Sequence, residues 1–306
     1  MEHLKKERLT IHGQGDHITT DAGRIYYELE GSGPPVFLVP GGPGASHSHY
    51  HPWFSTLAKS HTVVYFDNLG TGASDRLVSQ RDYTVQRYAF DIEALRSALG
   101  FEKIKLIGLS FGSLPALEYT TQHSSHVHSL VISNGHLNAA TWQEGNIDNV
   151  NHEIRTLFPE VWSQMLELRS QGVLSGVSQY QALYEGLLAD LNWVDPWHHP
   201  SLYQTDDPRD DPNYDVYLGF IGEDPEWTVT GTLQGYDPSP KLAKCNVPTL
   251  IVTGRYDRVT PPAIAYKIQE AFPPNHAQLI IFERSAHRPW VEETEKYFDV
   301  VTKFLG

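Results

Sequence analysis

Short apolar runs recur along the chain, and between them lie segments in which apolar residues return every three or four positions. The runs Arg24–Gly31, Pro34–Gly42, His61–Gly70, Lys103–Ser110, Val127–Gly135, Pro248–Asp257 and Ala277–Ala286 read as strands. Their cores are almost continuously apolar rather than alternating, the pattern of a strand covered on both faces. The intervening periods predict helices over Val85–Leu99, Ser113–Thr120, Pro262–Phe272 and Glu292–Phe304. Strand and helix in alternation predict an α/β fold: a mostly parallel central sheet with helices on both faces.

The alternation breaks once. From Leu137 to Pro240 the chain is rich in Trp, Tyr, His and Asp, carries helical periods over Asn151–Gln171 and Gln179–Leu191, and then enters the Pro/Asp-rich stretch Asp195–Asp215. This predicts a helical cap domain, 137–240, inserted between a first core part, 1–136, and a second, 241–306.

Composition narrows the function. The chain has 306 residues and a formal net charge of −14, which disfavours nucleic acid or an anionic membrane surface as partner. Cys245 is the single cysteine, so no internal disulfide can form. The first residues lack the apolar stretch of a secretory signal, and no later run approaches a membrane span. A cytoplasmic protein is expected.

Ser110 ends an apolar run and stands between Gly108 and Gly112, where a helical period begins. A serine at such a turn fits a nucleophile elbow, in which small neighbours permit a tight backbone. A serine hydroxyl needs a base, and the base needs an acid to orient it. The run "TLIVTGRYDRVTPP" ends in a loop carrying Asp257 and "AQLIIFERSAHRPW" ends in a loop carrying His287, so both would reach the same sheet edge as Ser110. The order Ser110, Asp257, His287 is that of an α/β-hydrolase. The run Val127–Ser133 ends in Asn134, which cannot carry the acid's charge. Two backbone N–H groups suit an oxyanion: that of Phe111, at the start of the elbow helix, and that of Gly42 in the loop "PGGPGAS".

The segments "PGGPG" (Pro40–Gly44), "YFDNLGTGASD" (Tyr65–Asp75), "GLSFG" (Gly108–Gly112) and "EWTVTGTLQGYD" (Glu226–Asp237) together resemble the proline iminopeptidase family of α/β-hydrolase serine peptidases. The last is the most specific, since other α/β-hydrolases have no reason to carry it. The resemblance implies a cofactor-independent serine aminopeptidase with a helical cap, acting on a small peptide. It places on Glu226 the family's glutamate that binds the substrate's free amino group. A second amine-binding carboxylate, which the family also has, falls on no identifiable position. Two departures matter. Pro40 stands where the family has His before Gly-Gly, and "GEDPE" replaces Gly-Pro-Asn-Glu, so that Glu223 or Asp224 could share the role of Glu226. The Pro40 departure keeps an amidase, esterase or lactonase open, and a slow-turnover ligand receptor on the same fold is a further alternative.

No dinucleotide fingerprint, phosphate loop or cysteine cluster is present, and neither cofactor nor metal is expected. His47, His49 and His51 alternate as metal ligands on a strand would, and "WHHP" at Trp197–Pro200 is a second histidine pair. Both read more simply as packing or pocket-wall residues.

Overall fold

The computed structural model describes residues 15–191 and 210–306. The first fourteen residues, Trp197–Pro200 and most of the Pro/Asp-rich stretch lie outside the described residues. The sheet has eight strands: β1 (Asp16–Thr19), β2 (Arg24–Glu30), β3 (Pro35–Val39), β4 (Thr62–Phe66), β5 (Ile104–Leu109), β6 (Val127–Ser133), β7 (Thr249–Gly254) and β8 (Ala277–Phe282). They lie in the order β1-β2-β4-β3-β5-β6-β7-β8. β1 and β2 pair antiparallel with each other, β2 pairs antiparallel with β4, and every other pairing is parallel. β1 was not expected from the sequence: four mostly exposed residues on a sheet edge carry no apolar signature.

The continuous apolar runs have their explanation in two cores. In β3, Phe37 and Val39 pack on one face with Val64, Leu106, Ile132 and Ile251, whereas Val36 and Leu38 pack on the other with Val63, Ile107, Val131 and Leu250. The first face is covered by helices α1 (Val85–Ala98), α2 (Ser113–Gln122) and, further along the chain, the helix Pro262–Ala271. The second is covered by Tyr50, Phe54 and the carboxyl-terminal helix Thr294–Leu305 through Tyr297, Phe298, Val301 and Leu305. Thr84 caps α1, its hydroxyl accepting from the Arg87 N–H at 3.0 Å.

Register then sets the site. Val39 lies opposite Gly108, Leu109 opposite Ser133, Ser133 opposite Val252, and Gly254 opposite Phe282. The carboxyl ends of β3, β5, β6, β7 and β8 are therefore level, and the loops that follow them meet along one edge.

Between β6 and β7 run a short helix at Ala139–Trp142, a π-helical stretch at Gln143–Asn149, α3 (Val150–Leu157), α4 (Pro159–Ser170), α5 (Ser178–Leu191) and α6 (Tyr214–Ile221). The helical period over Asn151–Gln171 is divided at Phe158, which leaves helical geometry at φ −133° and ψ 59°. Pro159 imposes this, because its ring cannot follow a helical residue but can open a new helix. α6 was not expected either; its apolar face, Val216, Phe220 and Ile221, packs on Phe111, Leu114, Trp142 and Leu233. No described helix is long and apolar enough to cross a membrane.

Candidate active site

Ser110 sits at the β5-to-α2 turn with φ +53°, a left-handed conformation rare for a residue with a Cβ. Its glycine neighbours are needed for closeness. A methyl group on Gly108 would fall 2.8 Å from the Gly112 carbonyl and 2.9 Å from Ala116, and one on Gly112 would fall 2.2 Å from the Val39 carbonyl. Residues 104–120 are buried except for Ser110, which is half-buried. The turn thus lifts one hydroxyl out of an otherwise closed core.

Residues 177 and 30 positions apart in the sequence are joined in series. Ser110 Oγ lies 3.0 Å from His287 Nε2, and His287 Nδ1 lies 2.9 Å from Asp257 Oδ2. A carboxylate only accepts, so Nδ1 donates to Asp257 and Nε2 faces the serine hydroxyl. Asp257 is almost wholly buried and surrounded by donors: the N–H groups of Val259 (2.9 Å) and Thr260 (2.8 Å), the Thr260 hydroxyl (2.6 Å) and the Asn134 amide (2.7 Å). Burial pushes its pKa up, but His287 and these donors more than reverse that and hold it below the ordinary carboxylate range.

Asn134, set aside in the sequence as unable to serve as the acid, has a different place. It also adopts a left-handed backbone, φ +48°, and its amide donates both to Asp257 and to the Ala286 carbonyl at 3.0 Å. It therefore ties the acid's loop to the histidine's loop. Its position after a level strand end was the available signal. His136, two residues on, is also buried beside the site. Burial first, then the neighbouring His287, drive its pKa down to about 3, so it stays neutral, with Nε2 2.8 Å from the Asn146 amide.

The loop after β3 abuts the serine: a methyl group on Gly41 would meet Ser110 Cβ at 3.3 Å. Gly42 is exposed and adopts φ +112°, where any side chain would strike the N–H of Gly44. The loop then enters a 3₁₀ turn, His47–Tyr50, capped by Ser46. His47 and His51 are therefore not on a strand as the alternating pattern suggested. His47 is clamped between Asp67 (Nδ1, 2.8 Å) and Glu28 (Nε2, 3.2 Å), and His51 stacks on Tyr65 with its Nε2 3.5 Å from Glu28. Burial lowers the His47 pKa, but Asp67 and Glu28 outweigh it and raise it, favouring the charged ring between the two carboxylates. Asp67 accepts the His47 backbone N–H as well, at 2.8 Å.

Glu226 lies in the insertion and is as enclosed as Asp257. Its Oε1 accepts from Gln181 Nε2 at 3.3 Å and from the Tyr217 hydroxyl at 3.4 Å, and Tyr184 also bonds to it. Burial raises its pKa to about 7, against the pull of these neutral donors. Among the described residues no Lys or Arg pairs with it. The nearby Arg169 is bidentate to Asp224 at 2.7 and 2.9 Å and lies over the Trp227 ring. Asp224 is thus committed to Arg169 and Ser175, and Glu223 is exposed, so neither shares the enclosure of Glu226. Gln181, Tyr184 and Tyr217 were not singled out in the sequence, where a Tyr-rich insertion gave no means of choosing among them. Tyr217 stands on α6 one turn before Phe220, whose ring lies 4.7 Å from that of Phe111. One helix therefore links Glu226 to the residue after the serine.

Residues 34–293 match the alpha/beta hydrolase fold family, and the chain belongs to it. Within that class the resemblance read from the motifs holds. The chain is 28% identical over 292 residues to a proline iminopeptidase of Heyndrickxia coagulans, covering 94% of this chain and 97% of that one. It is 27% identical over 292 residues to a proline iminopeptidase of Saccharolobus solfataricus, with 92% and 88% covered. Its fold is shared with the crystal structure of the Mycobacterium smegmatis proline iminopeptidase at a TM-score of 0.77, with 21% identity, 95% of this chain and 97% of that one. The reading as an enzyme stands with these.

Proposed function

We propose that this chain is a serine aminopeptidase that releases the amino-terminal residue of a short peptide or amide. Ser110 Oγ adds to the carbonyl carbon while His287 Nε2 takes its proton. Asp257 holds the imidazole in the tautomer that can accept and stabilises the imidazolium that forms. The N–H groups of Gly42 and Phe111 hold the oxyanion. When the tetrahedral adduct collapses, the C–N bond breaks and His287 returns the proton to the leaving amine. A water then adds to the acyl-enzyme, giving its proton to His287, and Ser110 leaves with that proton as the acid is released.

The observation that carries the amine specificity is Glu226: a buried carboxylate whose described partners are neutral, linked by α6 to Phe111. A substrate ammonium would supply the cation that burial of this carboxylate calls for. In this reading residues 137–240 form a cap over the two core parts, 1–136 and 241–306, admitting only a short free amino end. Pro40, buried under the oxyanion loop where the family has His, supports an esterase or lactonase as the second reading. Matched aminoacyl substrates with free and acetylated amines separate the two. The aminopeptidase should lose about 30-fold to several thousand-fold in kcat/KM on acetylation, equivalent to roughly 2–5 kcal/mol for an unpaired buried charge. Equal rates on both forms would leave the esterase or lactonase.

A further inference from the structure

The segment that leads into α6 within the insertion is bonded to the loop that carries Gly42. Asn213 N–H donates to the Gly44 carbonyl at 2.9 Å, and the Asn213 amide donates to the Gly70 carbonyl at 2.7 Å. Its Oδ1 accepts from the Asp215 N–H at 3.0 Å and so caps α6. Three residues earlier, Asp210 accepts from the Ser46 hydroxyl at 2.9 Å. The approach is close enough that a methyl group on Gly44, φ +101°, would fall 2.5 Å from the Asn213 carbonyl.

We propose that Asn213 is a positioning residue for the oxyanion hole, joining the Gly41–Ala45 loop, the Asp67–Asp75 loop and α6 through one side chain and its backbone. The core already fixes the far end of the oxyanion loop through His47 and Asp67. Asn213 fixes its middle. Because α6 also places Phe220 on Phe111 and Tyr217 on Glu226, one eight-residue helix supports both oxyanion donors and the amine site. Displacing a donor by a fraction of an ångström weakens the transition state far more than the ground state, since the N–H groups are aimed at charge that develops only during reaction. The loss belongs in kcat, and in substrates too small to touch the insertion.

The inference rests on Gly42 being an oxyanion donor, and its test separates the two. Wild type, Asn213→Ala and Asn213→Ser are compared in hydrolysis of p-nitrophenyl acetate and in affinity for phenylboronic acid, which forms a tetrahedral adduct on the serine. Serine remains a good helix cap but drops the amide that reaches Gly70. Both variants should lose about 10–100-fold in kcat, with KM within about threefold and boronate affinity falling by the same factor as kcat. Only Asn213→Ala should also lower the melting temperature. A serine variant with wild-type kcat and boronate affinity reduces Asn213 to a helix cap and overturns the proposal alone. A wild type that neither cleaves the ester nor binds the boronate overturns the oxyanion reading and this inference together.

Discussion

Asp257 and Glu226 are two carboxylates with nearly the same burial, 4% exposed each, and opposite electrostatics. Desolvation is the largest influence on both and pushes both pKa values up. At the sheet edge it is reversed by His287 and by donors from the Thr260 hydroxyl and Asn134, and the carboxyl is held below its ordinary range. In the insertion it wins, and Glu226 is raised to about 7. Burial alone therefore decides nothing about the charge; the partners do. The core site carries its compensating group within the fold, which fits the proposed part of Asp257 in every turnover. The site in the insertion holds only neutral donors among the described residues, which fits the proposal that its cation arrives with the substrate.

The sharpest way to break the comparison is to neutralise each carboxylate in turn. Asp257→Asn keeps the shape but offers His287 a donor in place of an acceptor, so the imidazole loses the tautomer that can take the serine proton. The expected loss in kcat is about 10⁴-fold on peptides and esters alike. A loss below tenfold on both would remove Asp257 from the catalytic group. Glu226→Gln should instead discriminate: about 30-fold to several thousand-fold in kcat/KM on free-amine substrates, and little on p-nitrophenyl acetate. Acetylating the substrate should then cost the glutamine variant little more, because both changes break one pair. Additive losses would place the amine elsewhere.

A smaller effect tests the support of the core carboxylate. Asn134→Gly retains the left-handed backbone that Asn134 adopts but removes both amide bonds, to Asp257 and to the Ala286 carbonyl. Losing a hydrogen bond to a charged group corresponds to about 10- to 150-fold in kcat on every substrate. Free-amine and ester substrates should suffer equally; a loss confined to the free-amine substrates would show that Asn134 acts through the insertion instead.

How far these sites could be read in the sequence follows from what placed each residue. Ser110, Asp257 and His287 were legible because each follows an apolar run that became a strand, and parallel strands bring their carboxyl ends level. Glu226 was legible only through the motif around it. The contact of Asn134 with Asp257 was not legible because the two lie 123 positions apart, which no local pattern encodes. The alternating histidines suggested a strand because a period of two is a strand's; Ser46, whose hydroxyl accepts from the Ser48 N–H at 3.2 Å, instead starts a 3₁₀ turn with three residues per turn. α6 was hidden behind a Pro/Asp-rich stretch, and its eight residues earn their helix through packing on Phe111 and Leu114 rather than through propensity.

The least of the expected effects has the opposite sign to the rest. Since the folded protein raises Glu226 to about 7 from an ordinary 4.5, the native state binds the proton more tightly than the unfolded chain. Below the lower value both states are protonated and the group contributes nothing to the pH dependence of stability. Between the two values the unfolded chain sheds its proton first, so stability falls as pH rises; above about 7 the full penalty remains. Glu226→Gln removes that penalty. The glutamine variant should therefore be more stable than wild type at pH 8, by about 1–3 kcal/mol, and the difference should shrink toward pH 4.5. Urea denaturation at a series of pH values measures it. The same titration has a kinetic face: the ratio of kcat/KM on a free-amine substrate to that on p-nitrophenyl acetate should fall as pH drops below about 7, because the ratio cancels what the catalytic base contributes to both. A glutamine variant no more stable than wild type at pH 8, together with a flat ratio, would mean that Glu226 is already ionised and compensated in the free protein, and the contrast with Asp257 would collapse.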